Sequence, residues 1–385
     1  MPRILYFFTL CNLVIGSGAF ILGGILQPVS TALSISVAAA GQAMTAYAVA
    51  TAVLAPLLIV LTANWPRKRA IQLALALFAA GNLVCALAPS LTVLLLGRVL
   101  MGAGAMFTAA VAALAVTLVP PALVGRALST TFLGMSISYA VALPIGAWLG
   151  FEYGWRIPVW LCVAASMAAL LAATVLLPKG AATARISFSG FKTAAGQSAV
   201  LRVWLRTLLF FIAIFSVFAY VGPVLLALNT MSSVTLSVVL AFFGMAGVVG
   251  TIVGGWANDR FGSLRTIAVQ LTVLVAMMCV LPLTEGNLPA TVATLVVWGV
   301  AGFGMTAPQQ SRLVSLSPGQ APLLLSLNSS MLYLGTALGA VVSGASISMV
   351  GFAHLGWIGA PFGLLALITL AFDRAPKSVA IGQAV

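Results

Sequence analysis

Acidic residues are almost missing from this chain: Glu152, Asp259, Glu285 and Asp373 are the only four among 385 residues, against 17 lysines and arginines. Histidine occurs once, at His354, and charged residues make up 5% of the whole, where a soluble domain carries about 25%. So few charges cannot cover a soluble surface. They also leave little for catalysis, which needs a nucleophile with its base or a cluster of metal ligands. The four cysteines, Cys11, Cys85, Cys162 and Cys279, fall inside apolar runs with no CxxC spacing and no histidine nearby, the pattern of inert thiols. No enzyme activity, metal or cofactor is expected.

What the chain does have is apolar length. Hydrophobic residues are 62% of the sequence and the mean hydropathy is +1.20. A bilayer core about 30 Å thick takes about 20 apolar residues per helix. Twelve such runs fall at about 4–27, 37–61, 70–88, 91–118, 126–150, 157–177, 204–227, 235–257, 266–284, 290–310, 322–349 and 355–373. They lack the period-two alternation of a membrane barrel, so the expected fold class is an all-α membrane protein. The first run follows Arg3 and is too long for a signal peptide, which makes it a permanent span.

Twelve spans put both termini on one side. The segments on that side carry Arg3, Arg67, Lys68, Arg69, Arg126, Lys179, Arg185, Lys192, Arg202, Arg206, Arg260, Arg265, Arg312, Arg374 and Lys377, leaving only Arg156 outside and Arg98 within a span. That asymmetry follows the positive-inside rule and places both termini in the cytoplasm. The net charge of +13 is therefore topology rather than a nucleic-acid surface, because the basic residues are spread over membrane-flanking loops.

The chain also repeats itself. Gly255-Trp256-Ala257-Asn258-Asp259-Arg260-Phe261-Gly262-Ser263-Leu264-Arg265 has an echo 196 positions earlier in Ile59–Arg69, with Pro66 where Gly262 stands and Arg69 where Arg265 stands. Two related halves are expected, 1–177 and 204–385, joined by a basic cytoplasmic linker at 178–203 that lies against anionic headgroups. Within the fifth span Gly134, Ser138, Ala142, Gly146 and Gly150 put a small residue at every fourth position, with Pro144 beside them. Gly335, Gly339 and Ser343, with Thr336, Ala340, Gly344 and Ser348 offset by one, do the same in the eleventh. Such stripes let helices pack closely in lipid, and Pro144 can kink its helix as a moving interface requires; a static tight bundle is the other reading.

On these residues the chain resembles the major facilitator superfamily of twelve-span transporters, in the drug:proton antiporter branch that includes sugar and purine-nucleoside efflux proteins. Gly255, Asp259, Arg260, Gly262 and Arg265 match the family's G-x-x-x-D-R-x-G-x-x-R loop, whose first-half copy is degraded to Ile59, Ala63 and Asn64. Arg98 and Gly102 match the fourth-helix signature, and Gly134 to Gly150 is similar to the antiporter signature, with Leu143 in place of the usual glycine before Pro144. Gly16 to Phe20 is similar to a first-helix pattern in which many members carry Glu at the Ala19 position.

The resemblance implies two six-helix bundles of inverted repeats, alternating access, and a bacterial inner-membrane protein acting as a monomer. It also implies that Asp259 latches a cytoplasmic gate against the start of the fifth helix near Arg126, where a solvated loop charge is the alternative. For Arg98, alone inside the apolar region, it implies a role in coupling; backbone carbonyls of a broken helix are the expected partners, and plain snorkelling is the alternative. Cavity candidates are Asn12, Gly16, Ala19, Phe20, Gly23 and Gln27 on the first helix, Tyr139 on the fifth, and Phe211, Phe215, Phe218 and Tyr220 on the seventh. Trp298, Gly302, Met305 and Gln309 on the tenth and Asn328 and Tyr333 on the eleventh complete the set, any single aromatic having core packing as its other role.

The expected substrate is a small neutral or amphipathic, drug-like molecule, exported with proton coupling. The alternative is a narrow sugar, nucleoside or metabolite permease, with or without coupling. No carboxylate falls at mid-membrane, so the proton carrier is not identified, and a strongly cationic substrate would go unpaired.

Overall fold

The computed structural model describes residues 2–120, 123–177, 196–317 and 321–373. Among these, twelve helices are long and apolar enough to cross a membrane: α1 (Arg3–Gly24), α2 (Val37–Leu61), α3 (Arg67–Leu87), α4 (Leu91–Ala112), α5 (Ser129–Glu152), α6 (Arg156–Leu176), α7 (Ser198–Phe218), α8 (Ser233–Phe261), α9 (Ser263–Thr284), α10 (Leu288–Leu316), α11 (Leu327–Val350) and α12 (Leu355–Phe372). They form two bundles, α1–α6 and α7–α12, and the described residues hold no strand. The side on which α1 starts and α12 ends is called here the terminal face, and the other the far face. Three helices that start at the far face are capped by a side chain: Ser36 accepts from Ala39 N–H, Ser232 from Thr235 N–H and Asn287 from Ala290 N–H, each worth about 1 kcal/mol.

Both halves interrupt the same helices in the same way. α1 stops at Gly24 and resumes as Leu26–Leu33, and α7 stops at Phe218 and resumes as Val221–Leu228. The residues at the breaks share a backbone conformation, Ile25 at φ −124°, ψ 22° and Tyr220 at φ −121°, ψ 28°. α4 is interrupted at Ala105 (φ −64°, ψ −11°) and α10 at Met305 (φ −72°, ψ −24°). Matching breaks in corresponding helices are the structural form of the sequence repeat.

The small-residue stripes close seams within each bundle. Gly134 faces the backbone of Thr9, Gly146 the side chain of Ile21 and Gly150 that of Ile25, all on or just after α1, while Ser138 packs on Gly16. Gly335 and Gly339 face the carbonyls of Leu208 and Ile212 on α7, and Ser343 Oγ donates to Ser216 O at 2.6 Å. The stripe of α5 is therefore a packing face against α1 of its own bundle.

Pro144 acts differently. The chain meets its missing N–H with a wide turn over Ser138–Ala142, in which Leu143 N–H reaches back five residues to Ser138 O, a π-bulge rather than a sharp kink. The bulge presses the backbone of Tyr139 and Ala140 against Gly244 of α8, in the other bundle.

The linker expected at 178–203 lies partly outside the described residues, and α7 begins at Ser198. Arg206, counted among the cytoplasmic-side charges although it lies just inside the run at 204–227, is fully buried, and Arg312 is buried on α10. Arg98 is thus not the sole interior cation. Arg206 is stabilised by Asp373, which accepts from Arg206 Nη2 at 2.7 Å and from Arg202 Nε at 3.2 Å, while Arg206 Nε donates to Thr369 Oγ1 at 2.9 Å. These bonds tie the start of α7 to the end of α12.

Candidate functional site between the two bundles

The bundles are joined at the far face. Among the described residues two hydrogen bonds cross between them, and both lie there. Tyr220 Oη donates to Ala38 O at 3.4 Å, and Ser233 Oγ donates to Glu152 Oε1. Backbone contact completes the closure. A Cβ on Gly222 would lie 2.7 Å from Gly24 O, and the Tyr220 ring fills the space beside Gly41 of α2 and Gly344 of α11. Glu152 sits over the first turn of α8, where the helix dipole favours an anion by about 0.3–1 kcal/mol.

Beneath this closure, rings from both bundles make a roof. Phe20 stacks on Tyr139 with centroids 4.8 Å apart. Tyr139 meets Phe218 at 5.6 Å and Phe303 at 4.9 Å across the seam. Phe243 meets Phe218 at 5.6 Å and stacks on Trp298 at 5.2 Å, and Phe215 joins through Phe218 at 5.4 Å. Tyr47 is buried on α2 and Tyr333 is half-buried on α11. On the terminal side of the roof Thr306 and Gln310 of α10 and Ser329 of α11 are exposed, and in a bilayer exposed polar groups are placed at less cost toward water than toward lipid. Phe243 and Phe303 were not singled out from the sequence; Gly302-Phe303-Gly304, an aromatic between two glycines, was the available signal.

Two polar nodes hold the bundles from within, at corresponding positions. In the first, Asn12 Nδ2 donates to Thr131 O at 3.0 Å and Thr108 Oγ1 donates to Asn12 Oδ1 at 3.1 Å, joining α1, α4 and α5. In the second, Gln309 Nε2 donates to Val203 O at 2.9 Å and Thr207 Oγ1 at 3.0 Å, and Thr207 donates to Asn328 Oδ1 at 2.7 Å, joining α7, α10 and α11. Asn12, Gln309 and Asn328 are thus internal struts. Gln309 Oε1 is buried without a hydrogen-bond partner. The first-helix strip is cut by the break at Ile25: Gln27 is exposed on the short far-face helix, and Gly16 is packed under Met135 and Ser138. Tyr220 belongs to the closure rather than the cavity, and Met305 is buried at the break in α10.

Arg98 is held without an acid. Its Nη1 and Nη2 donate to Gly18 O and Ala19 O, each at 2.7 Å, and its Nε to Ala43 O at 3.0 Å. Its guanidinium carbon lies 4.7 Å from the Tyr47 ring centroid. Gly102 makes this possible, since a Cβ there would lie 2.7 Å from Tyr47 O and hold α4 away from α2. A helical carbonyl has a second lone pair to offer, and each charge-assisted bond contributes about 1.5–3 kcal/mol. Arg98→Lys keeps the charge but cannot fork to two consecutive carbonyls, so it is expected to destabilise the protein by about 3 kcal/mol. Thermal unfolding in detergent checks this, and an unchanged midpoint would show that the fork contributes nothing.

The Major Facilitator Superfamily profile matches residues 8–323. The chain belongs to the major facilitator superfamily. It is 29% identical over 374 residues to the inner membrane transport protein YdhP of Escherichia coli (strain K12), covering 96% of each chain. It is 27% identical over 378 residues to the MFS-type transporter YbcL of Bacillus subtilis (strain 168), covering 97% of this chain and 96% of that one. Its fold matches a solved bacterial homologue of the human lysosomal transporter Spinster, in an inward-facing and unoccupied conformation, with a TM-score of 0.77 at 18% identity over 97% of this chain and 98% of the other. Membrane transport of small molecules is the work of this family.

The superfamily loop at Gly255–Arg265 lies open at the terminal face. Asp259, Arg260 and Arg265 are exposed; Asp259 Oδ1 accepts from the neighbouring Asn258 Nδ2 at 3.2 Å, and Arg260 lies over Phe261. Gly262 has φ +81° and ends α8 in a conformation that glycine alone adopts freely. A Cβ on Gly255 would meet nothing within 4 Å. The side chain of Arg126, named as the partner of Asp259, lies outside the described residues.

Proposed function

We propose that this major facilitator protein exports small amphipathic molecules from the bacterial cytoplasm across the inner membrane, as a monomer, by rocking one bundle on the other. The observation that carries the proposal is the aromatic roof, built from both bundles beneath the hydrogen-bonded far-face closure. Rings with scattered amides suit apolar ligands of variable shape. The basic residues make the terminal face cytoplasmic, so the conformation is inward-facing, as in the Spinster homologue, and YdhP's description as an inner-membrane protein agrees with the location. The unpartnered Gln309 Oε1 favours a second reading, a permease for a sugar, nucleoside or other metabolite that supplies a hydroxyl or N–H donor.

Efflux of lipophilic dyes, sugars and nucleosides from proteoliposomes, with and without a pH gradient, tests both. Several dyes moving with the gradient supports a proton-coupled exporter; one polar solute class, indifferent to pH, supports the permease; no movement of any solute refutes both. Asp259 serves as the cytoplasmic latch in the outward-facing state. In the last turn of α8 an anion is disfavoured by the helix dipole, and it gains by meeting the start of α5. Asp259→Asn is therefore expected to reduce transport several-fold (about 1 kcal/mol) at unchanged expression, and wild-type transport would remove the latch.

A further inference from the structure

We infer that the preferred substrate is an organic anion whose export is driven by the membrane potential, an inference that rests on the export reading above. The chain has four acidic side chains and no more, and the structure places all of them. Glu152 bonds Ser233 at the far face, Glu285 is exposed in a far-face turn, Asp259 is exposed at the terminal face, and Asp373 is taken by Arg202 and Arg206. None stands near Arg98. Of the buried arginines, Arg67 starts α3 at the terminal face, Arg312 lies in the last turn of α10, and Arg206 is paired with Asp373 at the end of α12. Arg98 is the one set deep in the apolar region, and it is solvated by carbonyls, thioethers and a ring, which leave its charge in place.

That charge reaches the roof. Arg98 grips Ala19, and the next residue, Phe20, stacks on Tyr139. The guanidinium and the roof are thus anchored on consecutive residues of α1. Over about 10 Å at intermediate dielectric, attraction between unit charges still exceeds thermal energy. Trp298 adds a second pointer. Its indole N–H is buried without an acceptor, and it packs against Phe243 within the ring network. A ligand with aromatic or aliphatic body and a carboxylate or sulfonate meets all three features: rings for its body, the buried Arg98 for its charge, and a donor in want of an acceptor.

A negative substrate also accounts for what the chain lacks. An anion leaving a cell whose interior is negative is driven outward by about 50-fold per 100 mV, so no residue need carry a proton through mid-membrane. A neutral molecule gains nothing from the potential, and a cation is held back.

The test uses full-length protein in proteoliposomes and three probes of one skeleton: dansylglycine (anion), dansyl propylamide (neutral) and dansyl ethylenediamine (cation). A potassium gradient with valinomycin sets the potential. Dansylglycine is expected to leave the cytoplasmic-side compartment about tenfold faster than the cation, to speed up when that compartment is made negative, and to ignore a collapsed pH gradient. Arg98→Met is expected to narrow the preference for the anion. The potential dependence of the wild type decides the matter even if that variant folds poorly. Equal or faster movement of the neutral or cationic probe, or anion flux indifferent to the potential, overturns the inference and leaves export standing. Failure of all three probes to cross overturns both.

Discussion

Cysteines placed at Glu152 and Ser233, joined by a short bifunctional thiol reagent, are expected to cut transport by about tenfold or more, since opening is then blocked on one side. Each single-cysteine variant treated alike is expected to keep most of its activity. The two residues belong to different bundles, and their hydrogen bond is one of the two that cross between bundles among the described residues. In the export cycle proposed above, the two must separate before substrate leaves at the far face. Cys279 is exposed and is replaced by serine in the background; Cys11, Cys85 and Cys162 are buried. A cleavable linker should restore transport on reduction. Full transport by the cross-linked protein would mean that the far face does not open at this point.

Gly254→Ala is expected to destabilise the fold by about 3 kcal/mol or more, while Gly255→Ala leaves stability unchanged. The two glycines are neighbours with opposite surroundings. A Cβ on Gly254 would strike the backbone of Gly304 on α10, and Gly250, one turn earlier, faces the backbone of Val300 in the same way. Backbone cannot yield as a flexible side chain can, so the helices must part. Gly255 meets nothing within 4 Å. Thermal unfolding of both variants in detergent checks the pair, and similar midpoints would refute the packing account. The family motif names Gly255, yet in this conformation Gly254 is the one that packing requires.

Twelve spans could be read from the sequence because lipid demands long apolar runs, and the arginine cage could be foreseen because no acid was available to Arg98. The small-residue stripes announced close packing but not their partner: a stripe on α5 fits α1 or α8 equally as a pattern, and only the fold shows Thr9, Ile21 and Ile25 filling it. The breaks at Ile25, Tyr220 and Met305 each fall three residues before a proline, Pro28, Pro223 and Pro308, whose missing N–H leaves the carbonyl four residues earlier without its helical partner; hydropathy is blind to this, so the runs 4–27 and 204–227 pass straight through and carry Gln27 onto the wrong element. Arg206 is counted with the cytoplasmic segments because it falls just inside the edge of the run at 204–227, where a basic residue reads as a flanking charge; a bond to Asp373, 167 residues away, is invisible locally. Ser233 and Glu152, 81 residues apart, meet for the same reason.

Much of the far-face closure is main chain meeting main chain. Gly222 rests on the carbonyl of Gly24, Gly23 on that of Phe218, and Gly244 on the bulged backbone of Tyr139. Contacts of this kind ask only that a few positions stay small; they are indifferent to what the surrounding side chains become. Side chains elsewhere in the roof can therefore be rewritten, ring by ring, while the same door stays in place.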